Sequence, residues 1–317
     1  MYVQPRGKQP PTYCIRYVLS TTDIDHVGDY DIIIGIGERS RWSHITRDVS
    51  TDFQKGLSEI YSKRKQERPR MFMRKLVAIV FRGKGHVDNV TLASSAHLAQ
   101  FYYAANWLVL HQDDRGGWPI NVRRRINKQI PELAPGWYSA MAQGQAMSLL
   151  VRAYVRTHNS KYLDSALRAT KLFRVSSAEG GVRAKFADKF TWYEEYPTQP
   201  SSFVLNGFIY SLLGLYDLKT IAPATSASEA QSLFTDGMTS LVALLPLFDT
   251  GSGSTYDLRH VGLHSAPNLA RWDYHATHIN QLLLLATIEE EVVAKKLFKE
   301  TAERWIGYTK GKRASHN

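Results

Sequence analysis

The sequence predicts an α+β fold, in which a β-rich N-terminal part precedes a longer helical part. The first 84 residues contain segments rich in β-branched and aromatic residues, separated by polar turns. From residue 92 onward, apolar residues recur at spacings of three and four, which is typical of helices. We therefore assign residues 1–84 to a partial β-sheet domain and residues 85–317 to a helical domain.

The N-terminal part contains three segments that we predict to be strands, Tyr13–Leu19, Tyr30–Ile36 and Leu76–Phe81. A further strand at Arg39–Arg47 is expected to lead into a turn or short helix at Asp48–Leu57. Three or four strands are few for a complete β-sandwich, so we expect a partial sheet.

The C-terminal part contains seven amphipathic runs that we predict to be helices: 92–111, 138–157, 160–174, 202–219, 226–245, 276–288 and 289–308. Glycine-rich turns recur every roughly 60–70 residues, about one helix pair each. This repeat favours an (α/α) toroid, in which inner helices line a cup, over a plain helical bundle. Aromatic loops between the runs would then surround the mouth of the cup.

Composition narrows the classes of partner. The 317 residues carry a net charge of +11, which favours a polyanionic partner such as nucleic acid, an anionic membrane or a sulfated polysaccharide. No nucleic-acid motif or zinc spacing is present, so we expect no nucleic-acid partner. Cys14 is the single cysteine, which excludes an intrachain disulfide. No signal peptide, anchor or apolar run of the roughly 20 residues that a membrane span needs is found.

Three aromatic and charged blocks are the strongest functional signal: Trp192–Pro197, Tyr256–His260 and Arg271–His275. Their Tyr, Glu, Arg and His side chains are able to transfer protons and hold an anion. Such residues in loops on a rigid helical frame are typical of a catalytic site.

These blocks belong to a longer set of segments that resembles a known family, the D-glucuronyl C5-epimerases of heparan sulfate and heparin biosynthesis. The likeness covers about Gly83 to Asn317. It is carried by Gly116–Pro119, Pro135–Gln145, Ser165–Thr170, Trp192–Asp217, Asp249–His260, Ala266–Gln281 and the ending Arg313–Asn317.

The resemblance implies a Golgi enzyme that converts D-glucuronate to L-iduronate within N-sulfated heparosan, without a redox cofactor. It also implies an (α/α) toroid, a β-domain completed by upstream sequence, and a homodimer. Family members resemble type II membrane proteins with a long N-terminal region, so we expect this chain to be N-terminally truncated. The alternatives are a toroid polysaccharide lyase, which makes the same carbanion, and a catalytically incomplete heparan-binding fragment.

Epimerisation at C5 requires a proton-transfer group on each face of the sugar ring and a clamp for the carboxylate. The resemblance implies roles at the reacting sugar for Glu195, Tyr196, Tyr256 and Tyr274. We assign Glu195 to one face of C5 and Tyr274 to the other, with Tyr256 stabilising the enediolate or relaying a proton and Tyr196 orienting the acid. Exchanging the roles of the tyrosines Tyr256 and Tyr274 fits the sequence equally well. Glu194 is expected to cap a helix or face solvent.

Arg259 is the candidate carboxylate clamp, because a guanidinium stays charged and binds carboxylates through two hydrogen bonds. The alternative is a structural ion pair with Asp257. The resemblance implies further substrate-binding residues at Asn206, Tyr210, Asn268, Arg271, Trp272 and His275. Arg125 and Lys128 are candidates in the basic loop Arg123–Lys128, for which a solvated turn is the alternative. Trp137 is either a packing anchor or a sugar platform.

Asp88 corresponds to a position that the resembling family uses to bind calcium. A carboxylate is a suitable Ca²⁺ ligand, but one carboxylate does not make a site. The other family ligands lie upstream of this sequence, so we expect a structural calcium site that is incomplete in this chain. Asn89-Val90-Thr91 is a sequon for N-glycosylation, meaningful for a protein of the secretory pathway.

Overall fold

A computed structural model of the chain describes residues 1–8, 10–37, 42–93 and 96–315. It divides into two units, Met1–Tyr103 and Ala104–Asn317. A β-sheet dominates the first unit and helices dominate the second, which confirms the α+β class. The boundary proposed at residue 84 stays a prediction.

The N-terminal unit contains a five-stranded sheet with strand order β3-β4-β2-β1-β5. Neighbouring strands are antiparallel except for β2 and β4, which are parallel. The strands are β1 Tyr2–Pro5, β2 Tyr13–Val18, β3 Ile24–Val27, β4 Asp31–Gly35 and β5 Met73–Ala78. The predicted strands at residues 13–19, 30–36 and 76–81 correspond to β2, β4 and β5. β1 and β3 are short and were not predicted.

Helix α1, Val49–Lys63, packs on this sheet. Its apolar residues Phe53, Leu57 and Ile60 lie at helical spacing and join a buried cluster with the sheet residues Val3, Tyr13, Ile15, Ile32 and Ile34. The Asp48 carboxylate accepts a hydrogen bond from the Thr51 amide and caps the first turn. The helix is longer than the short one expected at Asp48–Leu57. Part of the strand expected at Arg39–Arg47 lies outside the described residues.

The predicted helical runs are confirmed as helices. The helices are α2 His97–His111, α3 Ala140–Thr157, α4 Ser160–Ala169, α5 Lys171–Arg174, α6 Leu205–Ile221, α7 Ala224–Leu244, α8 Arg259–Leu263, α9 Trp272–Ile288 and α10 Val292–Thr309. An unpredicted hairpin of β6 Arg183–Phe186 and β7 Phe190–Tyr193 lies between α5 and α6. Among the described residues, no helix is long and apolar enough to cross a membrane.

The second unit is built on the contact between α3 and α6. Glycines permit a close approach: a Cβ at Gly144 would lie 2.6 Å from Cα of Ser211, and one at Gly214 would lie 2.5 Å from Cα of Gly144. Further packed pairs are α3–α4, α6–α7 and α9–α10. In each of these three pairs the helices follow one another in the chain, as the glycine-punctuated repeat indicated. The α3–α6 pair is the exception. Closure of the pairs into a toroid stays a prediction.

Candidate active site

The β6–β7 hairpin delivers the first aromatic block to the start of α6. Trp192 in β7 is fully buried and stacks on Phe208 of α6, with ring centroids 3.7 Å apart. Tyr193 is also buried, and its hydroxyl donates to the Leu233 carbonyl over 2.7 Å. These contacts fix the chain that leaves the hairpin, so Glu194, Glu195 and Tyr196 follow from a rigid anchor.

Glu194 lies in the interior, so the expectation that it faces solvent is wrong. It has no exposed surface, and its carboxylate accepts the Phe203 amide hydrogen at 3.0 Å and 3.3 Å. Phe203 has a φ of 54°, a left-handed conformation that is unfavourable for a bulky residue. Glu194 therefore holds the turn that precedes α6, which resembles the predicted capping role. Burial raises the pKa of Glu194 to about 8.

Glu195 is 4% exposed, and its Oε2 atom has no hydrogen-bond partner. Oε2 faces Gly207 in the first turn of α6, where an added Cβ would lie 2.3 Å away. The pKa of Glu195 is raised by burial, against opposing contributions from hydrogen bonding with Tyr196 and from the charge of Arg124. A buried carboxylate oxygen without a donor is costly and requires an explanation, of which a catalytic role is one.

Two of the candidate tyrosines, Tyr196 and Tyr256, lie close enough to Glu195 for its charge to raise their pKa values. The third, Tyr274, contacts Tyr256. The rings of Tyr256 and Tyr274 meet edge to face with centroids 4.8 Å apart. The structure thus brings together all four residues that the sequence assigned to catalysis.

Burial and the neighbouring Glu195 charge raise the pKa of Tyr196 to about 12, and the pKa of Tyr256 is raised by the same two causes. Both tyrosines are therefore neutral near pH 7 in this arrangement. The Arg124 guanidinium opposes this shift at Tyr196, but it lowers the pKa by less than burial raises it.

Tyr274 lies in the first turn of α9 beside two exposed residues of the same block. The Arg271 guanidinium lies 5.4 Å from the centroid of the Tyr274 ring, and Arg271 also pairs with Asp273 at 3.0 Å. The Trp272 side chain is 84% exposed. An exposed indole and guanidinium next to the tyrosine cluster suit contact with a sugar chain.

Arg259 forms an ion pair with Asp257, which is the alternative to the carboxylate-clamp role. Its Nη2 lies 3.2 Å from Oδ2 of Asp257, which is fully buried. Asn268 donates from Nδ2 to the same oxygen over 2.8 Å. The Arg259 side chain keeps 13% exposure, so the ion pair orients the guanidinium without enclosing it. Whether Arg259 also binds a substrate carboxylate stays a prediction.

The basic loop presents its arginines on two sides, because residues 124 and 133 exchange backbone hydrogen bonds and neighbouring side chains in such a pair alternate. Arg123 and Arg125 both pair with Glu132, at 3.1 Å and 3.7 Å. Arg124 instead lies over the Tyr196 ring, 5.7 Å from its centroid.

Arg124 thus contacts the tyrosine cluster, although the sequence pattern pointed to Arg125 and Lys128. The signal was the run of three arginines, which gives no indication of which one turns inward. Lys128 and Arg125 are exposed. Trp137 contacts Tyr196 with ring centroids 5.8 Å apart and is half-buried, so its role as a packing anchor or as a sugar platform stays a prediction.

Asn206 and Tyr210 lie one turn apart on α6. Asn206 is 5% exposed, its Oδ1 has no partner, and its main-chain carbonyl accepts a hydrogen bond from Gln281 Nε2 over 3.0 Å. Tyr210 is half-buried. Asn206 immediately precedes Gly207, so it lies beside Glu195 at the start of the helix.

His275, like Asn206, lies in the interior of the unit. It is 6% exposed, and its two ring nitrogens meet the Ser254 hydroxyl at 2.8 Å and the Trp305 carbonyl at 3.2 Å. His278 also contacts Ser254, and burial lowers its pKa to about 3, which keeps it neutral. The role of His275 in substrate binding stays a prediction.

Asp88 is exposed in the N-terminal unit, and its carboxylate accepts the Asn89 amide hydrogen. No group of three or more His, Cys, Asp or Glu residues suited to a metal ion occurs within residues 1–8, 10–37, 42–93 and 96–315. The residues described around Asp88 therefore do not fit a calcium ion by themselves, and we derive no chemical step through one.

Comparison with known proteins identifies both parts of the chain. The family model for the D-glucuronyl C5-epimerase C-terminus matches residues 112–307. The model for the D-glucuronyl C5-epimerase β-sandwich domain matches residues 1–84.

A D-glucuronyl C5-epimerase of Caenorhabditis elegans is 48% identical over 296 residues, which cover 90% of this chain and 47% of the relative. An uncharacterised protein of Methanocaldococcus jannaschii is 30% identical over 167 residues, 51% of this chain and 50% of that protein. The chain spans about half the length of the curated relatives it matches. On these matches, the chain belongs to the D-glucuronyl C5-epimerase family.

Proposed function

We propose that this protein inverts C5 of D-glucuronate units within N-sulfated heparosan and so produces L-iduronate. The observation that carries the proposal is the buried Glu195 carboxylate, whose Oε2 has no partner, among Tyr196, Tyr256 and Tyr274. The C. elegans relative named D-glucuronyl C5-epimerase supports the same reaction.

In the proposed reaction, Glu195 removes the C5 proton, and the electron pair of that C–H bond moves into the adjacent carboxylate to form an enediolate. Tyr274 then gives its hydroxyl proton to C5 from the opposite face, which inverts the centre. The raised pKa of Glu195 makes it a stronger base than a solvated carboxylate.

The tyrosines act as neutral acids in this scheme, in agreement with the raised pKa values of Tyr196 and Tyr256. After one turnover Glu195 holds a proton and Tyr274 lacks one. The hydroxyls of Tyr196 and Tyr256 return the proton from Glu195 to Tyr274. No oxidation state changes, so the reaction requires no redox cofactor.

Substrate binding is assigned to the groups that surround this cluster. Arg259 neutralises the uronate carboxylate, which favours the dianionic intermediate. Asn206 and Tyr210 contact the reacting sugar from α6, and Asn268, Arg271, Trp272 and His275 hold the neighbouring units. The basic loop with Arg124, Arg125 and Lys128 attracts the N-sulfate and carboxylate groups.

The test is proton exchange at C5, followed by NMR. The purified chain is incubated with N-sulfated heparosan in deuterated water. Deuterium at C5 together with iduronate supports the epimerase. A UV-absorbing unsaturated uronate would assign the protein to the lyases instead, and saccharide binding without exchange would indicate a binding fragment.

The proposal includes a homodimer, which is supported by exposed apolar residues on α2. Leu98, Tyr103, Trp107 and Leu110 are between 44% and 78% exposed, an unusual amount for one helix of a monomer. Light scattering that gives twice the chain mass of 36.0 kDa supports the dimer, and the single mass contradicts it.

The proposal also places the protein in the Golgi lumen, where heparan sulfate is modified in the resembling family. The sequon Asn89-Val90-Thr91 lies on an exposed segment, as glycosylation requires. When both proteins are expressed in secretory cells, a glycan that endoglycosidase removes from the parent and that is missing from an Asn89→Gln variant would support this location. A parent protein that carries no glycan would contradict the use of the sequon.

A further inference from the structure

Asp257 lies at the centre of a buried group of contacts next to the catalytic cluster. Its side chain is fully buried. Oδ2 accepts a hydrogen bond from Asn268 Nδ2 at 2.8 Å and lies 3.2 Å from Arg259 Nη2, while Oδ1 accepts the Arg259 amide hydrogen at 3.2 Å. Two residues that we assign to substrate binding thus share one acceptor group.

The contacts also define the orientation of Arg259. A guanidinium is planar and presents five N–H donors in a fixed arrangement, so two fixed contacts determine where the others point. One contact is the Asp257 carboxylate, and the other is the Ile126 carbonyl in the basic loop, which accepts from Nη1 over 3.3 Å. Arg259 therefore links Asp257 to the loop that carries Arg124.

The backbone around Asp257 continues this arrangement. The Tyr256 amide donates to the Asn268 carbonyl over 2.7 Å, and the Leu205 amide at the start of α6 donates to the Tyr256 carbonyl over 3.1 Å. The segment before Asp257 thus joins the α6 terminus to the Asn268 loop. A substitution of the Asp257 side chain would therefore alter the contacts of Arg259 and Asn268 directly, whereas these backbone hydrogen bonds do not involve that side chain.

We propose that Asp257 is a positioning residue that orients Arg259 and Asn268 to bind the uronate carboxylate and hydroxyl groups of the substrate. The inference rests on the proposed function for the identity of the ligand. It assigns to the Arg259–Asp257 ion pair a role in substrate recognition. The structural ion pair and the carboxylate clamp are then two functions of one arrangement, because the ion pair holds Arg259 in the orientation that binds the substrate.

The test exchanges donor and acceptor between two contacting side chains. Asp257→Asn places an amide against the Asn268 amide and removes the charge that faces Arg259. Asn268→Asp places two acidic groups in contact. The double variant Asp257→Asn with Asn268→Asp restores both the hydrogen bond, in reverse, and the single negative charge beside Arg259.

The readouts are the dissociation constant for an N-sulfated heparosan octasaccharide and the melting temperature, measured on the 317-residue chain. Losing a hydrogen bond to a charged group costs up to roughly 100-fold in an equilibrium constant, so we expect about 100-fold weaker binding in each single variant. We expect recovery to within about tenfold of the parent in the double variant. Asp217→Asn is the matched control, because it breaks another Arg–Asp pair, with Arg152 at 2.6 Å.

Asp217 lies near the far end of α6, about 18 Å from its first turn at 1.5 Å per residue. The control is expected to lower the melting temperature while leaving octasaccharide affinity unchanged. Binding within threefold of the parent in Asp257→Asn overturns the proposal. A double variant that regains the parent melting temperature but not the affinity also overturns it. A parent protein that does not bind the octasaccharide overturns it as well. A parent that binds in this pattern without C5 exchange refutes the proposed function alone.

Discussion

Each unit contains a buried acid with a tyrosine and an arginine beside it, Asp52 in the first unit and Glu195 in the second. The two acids differ in whether their carboxylate oxygens have hydrogen-bond partners. In the N-terminal unit, Asp52 is 3% exposed and accepts hydrogen bonds from Tyr17 at 2.6 Å and from Arg47 at 2.8 Å and 2.6 Å. The Arg47 guanidinium also lies 5.3 Å from the Tyr17 ring centroid. Every group of this trio has a partner, so it stabilises the fold.

In the C-terminal unit, Glu195 is 4% exposed and is accompanied by Tyr196 and Arg124. Here the arginine lies over the tyrosine ring at 5.7 Å, and Glu195 Oε2 has no partner. Acid, tyrosine and arginine are therefore not a catalytic signature by themselves. The difference lies in the unsatisfied oxygen, which keeps Glu195 available to accept a proton.

Replacing the unsatisfied acid should give the largest effect. Glu195→Gln keeps the shape and removes the base, so we expect C5 exchange to fall by about 1,000-fold. The melting temperature should stay near that of the parent or rise, because a buried carboxylate without a donor is lost. Exchange rates by NMR and thermal unfolding measure the two quantities. Substantial exchange in this variant would show that another group is the base.

The same amide substitution in the satisfied trio should act on stability instead. Asp52→Asn leaves Arg47 and Tyr17 without their charged acceptor, and we expect a loss of about 3 kcal/mol in the free energy of unfolding. Urea denaturation measures this loss. C5 exchange per folded molecule, measured below the transition, should match the parent. A fall in exchange comparable to that of Glu195→Gln would contradict the distinction between the two acids.

Glu194 sharpens the comparison, since it is a buried acid whose oxygens do have a donor, the Phe203 amide. Its pKa is raised from 4.5 to about 8, so between those pH values the folded protein keeps a proton that the unfolded chain releases. Stability from this group is therefore lost as pH rises through that window, by an amount on the order of 5 kcal/mol, since each pKa unit corresponds to about 1.4 kcal/mol.

Glu194→Gln does not ionise and should remove this part of the pH dependence. The measurement is urea denaturation of parent and variant at several pH values between 4.5 and 8. The difference between the two curves isolates Glu194 from other buried acids such as Glu195 and Asp257. Parallel curves would contradict the raised pKa.

The sequence was sufficient for what depends on local pattern. Apolar spacing located the helices, and the family resemblance together with the chemistry of C5 inversion indicated Glu195, Tyr196, Tyr256 and Tyr274, which the structure brings together. It was insufficient for Glu194, because two consecutive glutamates resemble a solvated pair. Its burial depends on the left-handed turn at Phe203, a tertiary feature. The Asp257 contacts likewise join residues 257, 259 and 268 through a fold that spacing does not specify.

Arg124 gives the smallest expected effect and distinguishes a site arginine from its neighbours. It is exposed and lies over Tyr196, so its charge acts through solvent-screened contact with the cluster. Arg124→Ala should lower kcat/KM for heparosan by about tenfold, equivalent to about 1.4 kcal/mol.

Arg123→Ala is the matched control, since Arg123 has the same charge in the same loop but pairs with Glu132 on the other side. It should change kcat/KM by less than about twofold, in keeping with the small contribution of exposed ion pairs. Equal losses in the two variants would mean that the loop acts only through its net charge. A loss confined to Arg124→Ala, and largely restored in Arg124→Lys, would mean that the inward position of one cation matters. That outcome would make Arg124 the counterpart of Arg47, with the difference that Arg47 satisfies its acid and Arg124 leaves its acid free to react.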